Sequence, residues 1–333
     1  MNHLTYPEAV VIGALQGMTE LFPVSSLGHS VILSALIGGR WGRDLNVSTP
    51  ESPYLAFIVG LHVATALALL IFFWRDWVRI VGGFVTSVRA RRIETPDERL
   101  AWMIILATIP VGVTGLLLEH TFRTVLGRPV PAAIFLTVNG MLLLGAERLR
   151  RRATTSEPTR SGPALAGVAR TGSATAGVAR TGPDIRTKPY RPTDLPPHAD
   201  VSSDRRIAAG SMVGAVLIGS AQILALLPGI SRSGATMAAG LLKGLSHEDA
   251  ARFSFLLATP VILAAGVLKL PDLFGPLGAG IHGQVLAGSL ASGVTAYLAV
   301  RFLTRYFETR TLTPFAGYCL AAGLASLAWL TLR

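Results

Sequence analysis

At 333 residues the chain is as long as one large or two ordinary domains, yet only 15% of its residues are charged and its mean hydropathy is +0.51, where a soluble domain has about 25% charged. A soluble core cannot hide that much apolar surface, so a freely soluble enzyme is all but excluded. The formal charge of +11 invites a nucleic-acid partner until its distribution is known, and the single cysteine, Cys319, excludes an internal disulfide and a cysteine-based metal cluster.

Taken in chain order, the first apolar stretch, 8–37, is interrupted by Glu20, Pro23, Ser25, Ser26 and His29 and makes no clean span. Three nearly uncharged runs follow at 54–74, 100–118 and 132–146. Residues 151–206 then change character. They hold seven prolines and two copies of Gly-Val-Ala-Arg-Thr-Gly, at 167–172 and 177–182, a composition that predicts a disordered basic linker unable to bury a core. A second interrupted stretch, 207–242, carries Pro228, Gly229, Ser231, Arg232 and Ser233 in its middle. Three more runs close the chain at 253–268, 284–300 and 314–332. The six clean runs are of spanning or near-spanning length, for which roughly 17–25 apolar residues cross a bilayer, and predict six transmembrane helices.

Position explains the basic excess. If the run 54–74 points inward, the segments 75–99, 148–206, 243–252 and 301–312 face the cytoplasm and hold 23 of the 30 Lys and Arg, against 5 on the outward segments. That is a strong positive-inside bias, and it leaves the nucleic-acid reading without support. The N-terminal residues lack the basic region of a signal peptide, which predicts an outward N-terminus. With 38–53 also outward, 8–37 must enter and leave on the outer side, and by the same logic 207–242 on the inner side. Both read as re-entrant helical hairpins, each followed by three spans. The expected architecture is an all-α membrane protein with an inverted-topology repeat: a first half over 1–150, the linker, and a second half over 207–333.

Polar groups inside a membrane are costly and point to function. Gln16 and Glu20, four residues apart, share a helix face. Pro23 breaks that helix, and Ser25 and Ser26 begin the next, with His29 one turn along. In the second hairpin Ser231, Arg232, Ser233 and Thr236 follow a Pro-Gly break, where helix-start N–H groups and hydroxyls can surround an anion and Arg232 supplies a permanent fork for phosphate oxygens. Taken singly, a serine here can be only an N-cap, His29 only a packing histidine, and Glu20 with Arg232 only a locking ion pair. His62, within an apolar span, reads as structural. Together the two hairpins suit a phosphorylated lipid and a divalent cation, with Glu20 as the hard-cation ligand.

The run Gln16-Gly-Met-Thr-Glu20-Leu-Phe-Pro-Val-Ser-Ser-Leu-Gly-His29 resembles the (E/Q)xxxE and Pro-Val-Ser-Ser-x-Gly-His stretch of the undecaprenyl-diphosphatase, or bacitracin-resistance, family. Pro228-Gly-Ile-Ser231-Arg232-Ser233-Gly-Ala-Thr236 resembles its PGxSRSxxT motif. The resemblance implies a metal-dependent membrane phosphatase that converts undecaprenyl diphosphate to the monophosphate and phosphate, recycling the lipid carrier of cell-wall glycans, with a site open to the periplasmic side. It implies catalytic roles for Glu20, Ser26, His29 and Arg232, diphosphate binding by Gln16, Ser25, Ser231, Ser233 and Thr236, and Mg²⁺ or Ca²⁺ at Glu20. Gln16 is the amide variant of the motif, which leaves the acidic role to Glu20, and the linker is longer than the family's usual connection. Ser26 as nucleophile and a metal-activated water both remain open. So does a transporter or lipid flippase, since inverted repeats with broken helices are also a transporter architecture.

Overall fold

The computed structural model describes residues 4–38, 53–155, 199–275 and 279–332. Among them the chain forms twelve α-helices and one 3₁₀ helix, with no strand. The helices are α1 (Tyr6–Leu21), α2 (Ser26–Ile37), α3 (Pro53–Phe72), α4 (Trp74–Ala90), α5 (Pro96–Leu126), α6 (Pro129–Thr155), α7 (Ala199–Ala208), α8 (Met212–Ser220), α9 (Arg232–Leu242), α10 (His247–Phe274), α11 (His282–Thr309) and α12 (Thr313–Leu332). The 3₁₀ segment, Ala221–Leu226, joins α8 toward α9.

Five helices are long and apolar enough to cross a membrane: α5, α6, α10, α11 and α12. Two bent pairs raise the number to at most seven: α3 with α4, turned by 84°, and α7 with α8 and the 3₁₀ segment, turned by 99°. Each predicted span thus falls on a helix, and the first ends two residues early, at Phe72. Exposed side chains such as Leu116, Leu117, Leu268, Leu286 and Leu332 make the outside of the bundle apolar. Water does not tolerate such a surface and lipid does. The chain is a multi-pass membrane protein.

Local chemistry places the helix ends. α1 starts on a capping box, with the Thr5 hydroxyl accepting from the Glu8 N–H and the Glu8 carboxylate accepting from the Thr5 N–H. It stops at Leu21 because Pro23 cannot continue it. Ser25 then caps α2, Ser231 caps α9 and Ser246 caps α10, each accepting a backbone N–H at the first turn. The expected linker range 151–206 overlaps a helix at each end. Residues 151–155 extend α6, and 199–208 form α7, whose Asp204 is buried against Arg252 of α10. A paired buried carboxylate fixes a segment that composition alone reads as solvated. The remaining 156–198, and most of the expected outward segment 38–53, lie outside the described residues.

Small residues bring the site helices together. A side chain at Gly13 or Gly17 of α1 would meet backbone oxygens of Gly288 or Ser292 on α11 at 2.2 and 2.1 Å. The two helices therefore cross on paired small residues spaced four apart, the close-approach pattern of membrane helices. The breaks also touch: a Cβ on Gly28 would lie 2.8 Å from the Gly229 Cα, and Gly229 itself, at φ +113°, sits against the α6 backbone at Ala132.

Candidate functional site

Glu20 occupies the last turn of α1, where it is buried. One carboxylate oxygen, Oε2, accepts from Gln16 Nε2 at 2.8 Å and from the Ser26 hydroxyl at 2.5 Å. The other, Oε1, accepts from Nη2 of Arg232, the first residue of α9. The break at Pro23 makes this possible. It turns the chain so that Ser26, at the start of α2, faces back onto the end of α1, and α9 enters from the second broken stretch. Four predicted site residues, Gln16, Glu20, Ser26 and Arg232, thus meet around one carboxylate, and the charges of Glu20 and Arg232 offset each other inside the protein.

The turn before Ser26 is strained. Ser25 holds φ +70°, a conformation that favours glycine, and a non-glycine residue so held costs about 1–3 kcal/mol. Two bonds hold it there: its hydroxyl accepts from the Gly28 N–H at 3.2 Å, and its carbonyl lies 2.6 Å from His29 Nδ1. The second bond also assigns the His29 tautomer. Nδ1 carries the proton donated to Ser25, leaving Nε2 as acceptor, and Nε2 lies 2.8 Å from the Tyr318 hydroxyl with the two rings stacked. His29 thus bonds Ser25 and Tyr318 rather than Ser26 or Glu20, and looks toward α12.

Ser231, Ser233 and Thr236 are buried and already bonded inside the protein. The hydroxyls of Ser231 and Ser233 donate to the Phe22 carbonyl at 3.3 and 3.2 Å, and that of Thr236 to the Arg232 carbonyl at 2.7 Å. The first two bridge the hairpins, holding Arg232 in register with Glu20. They reach a phosphate only by giving up those bonds.

Three residues in contact with this cluster escaped the sequence. His62, read above as a packing residue, sits with Nε2 3.4 Å from Gln16 Nε2 and 3.6 Å from Glu20 Oε2. Its flanking residues are apolar, and only the packing of α3 beside α1 brings it to the carboxylate. Tyr318 comes from a span whose polar groups carry no motif. Asn139, fully buried in α6, donates to the Pro23 carbonyl and to Cys319 Sγ at 3.0 and 3.3 Å, and accepts from the Ser231 N–H at 3.0 Å. One amide thereby ties both breaks to one helix. A lone Asn in an apolar run was the available signal.

The donor set bears on a metal. Among the described residues no three Asp, Glu, His or Cys side chains gather as a metal cluster. Glu20 offers one carboxylate, with the Gln16 amide and Ser26 hydroxyl beside it. That set does not make a protein cage, but it fits an ion of the Mg²⁺ type, which uses one or two carboxylates and completes its shell with phosphate oxygens and water. Chemically, the cluster offers a hydroxyl bonded to a carboxylate acceptor, a guanidinium for anionic oxygens, and a second acceptor at His29.

Comparison with known proteins adds an independent finding. The family model described as bacitracin resistance protein BacA matches residues 9–189 and 197–325. An undecaprenyl-diphosphatase of Mycolicibacterium paratuberculosis is 64% identical over 331 residues, covering 99% of each chain. Undecaprenyl-diphosphatase 1 of Frankia casuarinae is 57% identical over 97% of each chain. The relative from Granulibacter bethesdensis, also called undecaprenyl-diphosphatase, is 39% identical over 97% of this chain and 96% of its own.

Proposed function

The chain belongs to the bacitracin resistance protein BacA family, and from that premise we infer that it hydrolyses undecaprenyl diphosphate to undecaprenyl phosphate and inorganic phosphate. It thereby returns the lipid carrier to cell-wall glycan synthesis and confers bacitracin resistance. The observation that carries the chemistry is the contact of a serine hydroxyl, a carboxylate and a guanidinium across two helix breaks.

In the proposed mechanism the prenyl tail lies among the apolar spans and the diphosphate meets Arg232. The guanidinium exchanges part of its contact with Glu20 for phosphate oxygens and offsets the charge of the transferring group, where most catalysis of this reaction type arises. Ser26 Oγ attacks the terminal phosphorus while Glu20 Oε2, 2.5 Å away, takes its proton. The bond from phosphorus to the bridging oxygen breaks, and undecaprenyl phosphate leaves. Water then attacks the phosphoserine, its proton passing to an acceptor such as His29 Nε2, and phosphate departs as Ser26 regains a proton. Gln16 and His62 steady the Glu20 carboxylate; Ser25, Ser231, Ser233 and Thr236 shape the two turns and border the diphosphate. Mg²⁺ or Ca²⁺, held by Glu20 beside Gln16 and Ser26, supplies further neutralisation of the diphosphate when bound.

The finer topology belongs to the same reading: six spans, two re-entrant hairpins and two inverted halves over 1–150 and 207–333. Its support is the pairing of elements. α1 packs on α11 as α8 packs on α5, while α3 meets α10 and α6 meets α12, an exchange of partners that relates the halves. The charge bias supports a cytoplasmic linker and a site that opens outward.

Phosphate release from a prenyl diphosphate by the purified protein, with and without chelator, tests hydrolysis and the metal together. Ser26→Ala separates nucleophile from bystander. With Ser26 as nucleophile the variant is nearly inactive and the native chain yields a trappable phosphoserine; full activity in Ser26→Ala would assign the attack to water.

A further inference from the structure

α4 leaves α3 at 84° and presents one apolar face to its surroundings. Trp74, Val78, Val81, Val85 and Val88 are exposed, and their alternate spacing by four and three residues makes a single stripe. A helix turned nearly perpendicular to a span runs along the membrane plane, and its apolar stripe belongs among acyl chains near the headgroups. Its polar flank is cationic. From position 74 to 92 there are five arginines and one aspartate. Arg79 is paired with Asp76 and Asp204, whereas Arg75, Arg89 and Arg91 are exposed.

Between α4, α5 and α10 runs an apolar groove of about 310 Å³, lined among others by Trp77, Ile80, Phe84, Ile105 and Pro260. That volume lies at the lower end of small-ligand clefts, roughly 300–1,000 Å³. An apolar slot under a helix that carries exposed arginines matches an acyl chain attached to a negative headgroup.

We propose that α4 and the groove beneath it bind anionic glycerophospholipids, with an acyl chain in the groove and headgroups along the exposed Arg75, Arg89 and Arg91. The proposal rests on α3 crossing the membrane. It depends neither on hydrolysis nor on which leaflet α4 occupies.

The test uses the full chain in nanodiscs, with Trp41, Trp74, Trp102 and Trp329 changed to Phe so that Trp77 reports alone. Phosphatidylglycerol or phosphatidylcholine with brominated acyl chains is added as the minor lipid in a phosphatidylcholine background. Half-maximal quenching is expected at an at least fivefold lower fraction of phosphatidylglycerol, about what one arginine near an anionic surface contributes. Arg75→Gln with Arg89→Gln and Arg91→Gln should abolish that preference while phosphate release continues. Native mass spectrometry of the unsubstituted chain, counting retained phosphatidylglycerol, guards against a variant that folds poorly. Equal quenching by the two lipids would reduce the groove to ordinary lipid contact and overturn the proposal. So would absence of quenching by either, which would mean that no acyl chain enters the groove. In the chain that keeps its arginines, no preference with intact turnover sinks this site alone; no turnover with the preference present sinks the hydrolytic reading alone.

Discussion

At the scale of single residues, Glu20 divides its two oxygens, one for Arg232 and one for Ser26 and Gln16. The motif residues themselves were legible because burying ionisable and hydroxyl groups in an apolar run has no cheap structural reason. What the sequence could not assign was the division of labour. Ser231 and Ser233 look like phosphate ligands, yet their hydroxyls bridge to Phe22. His62 looks like packing, yet it stands beside Glu20. Such partners come from helices distant in the chain, which no spacing rule reaches. Tyr318 gives a residue-scale prediction. Tyr318→Phe keeps the ring stack on His29 and removes one hydrogen bond to Nε2; losing about 1 kcal/mol from the transition state lowers kcat roughly fivefold. Steady-state kinetics should show that fall with KM little changed, and wild-type kcat would remove Tyr318 from the site.

Among the elements, the two helix breaks were legible from Pro23 and from Pro228-Gly229, because proline stops a helix on physical grounds that hold in any context. Their mutual contact was not. It depends on Gly28 meeting Gly229 and on Asn139 bonding both turns, relations across 92 residues of chain or more. Removing that amide tests the element scale. Asn139→Ala strands the buried Ser231 N–H, at a cost of about 1–3 kcal/mol, and leaves the Pro23 carbonyl only the long contact from Cys319 Sγ. A lower midpoint of thermal unfolding and a marked loss of turnover are expected together. Unchanged stability and activity would mean that the breaks hold each other without Asn139. At the α1–α11 crossing, Gly17→Val would press a side chain onto the Ser292 carbonyl, and turnover should fall because Gln16 and Glu20 ride on the same helix.

For the whole molecule, the excess of +11 turned out to carry two kinds of information. Most of it tracks the proposed topology, which hydropathy and charge counting can read. A smaller part builds structure that they cannot. Arg252, almost fully buried, grips Asp204 of α7 at 2.7 and 3.0 Å and Asp76 of α4 at 3.0 Å, while Arg79 joins the same carboxylates. This cluster fastens both bent pairs to α10 and holds α7 in place, where composition suggested linker. Arg252→Ala should destabilise the protein by about 1–3 kcal/mol, since it strips the buried Asp204 of two hydrogen bonds while Arg79 still offsets its charge; a thermal-unfolding midpoint close to wild type would deny the cluster that role. The account as a whole stands on hydrolysis at the carboxylate where the two breaks meet. Turnover of undecaprenyl diphosphate by purified Glu20→Gln measures this most directly, because the substitution keeps the shape and removes the charge and the proton acceptor. Phosphate release should fall by about a hundredfold or more with the fold retained, and turnover near wild type would contradict the account.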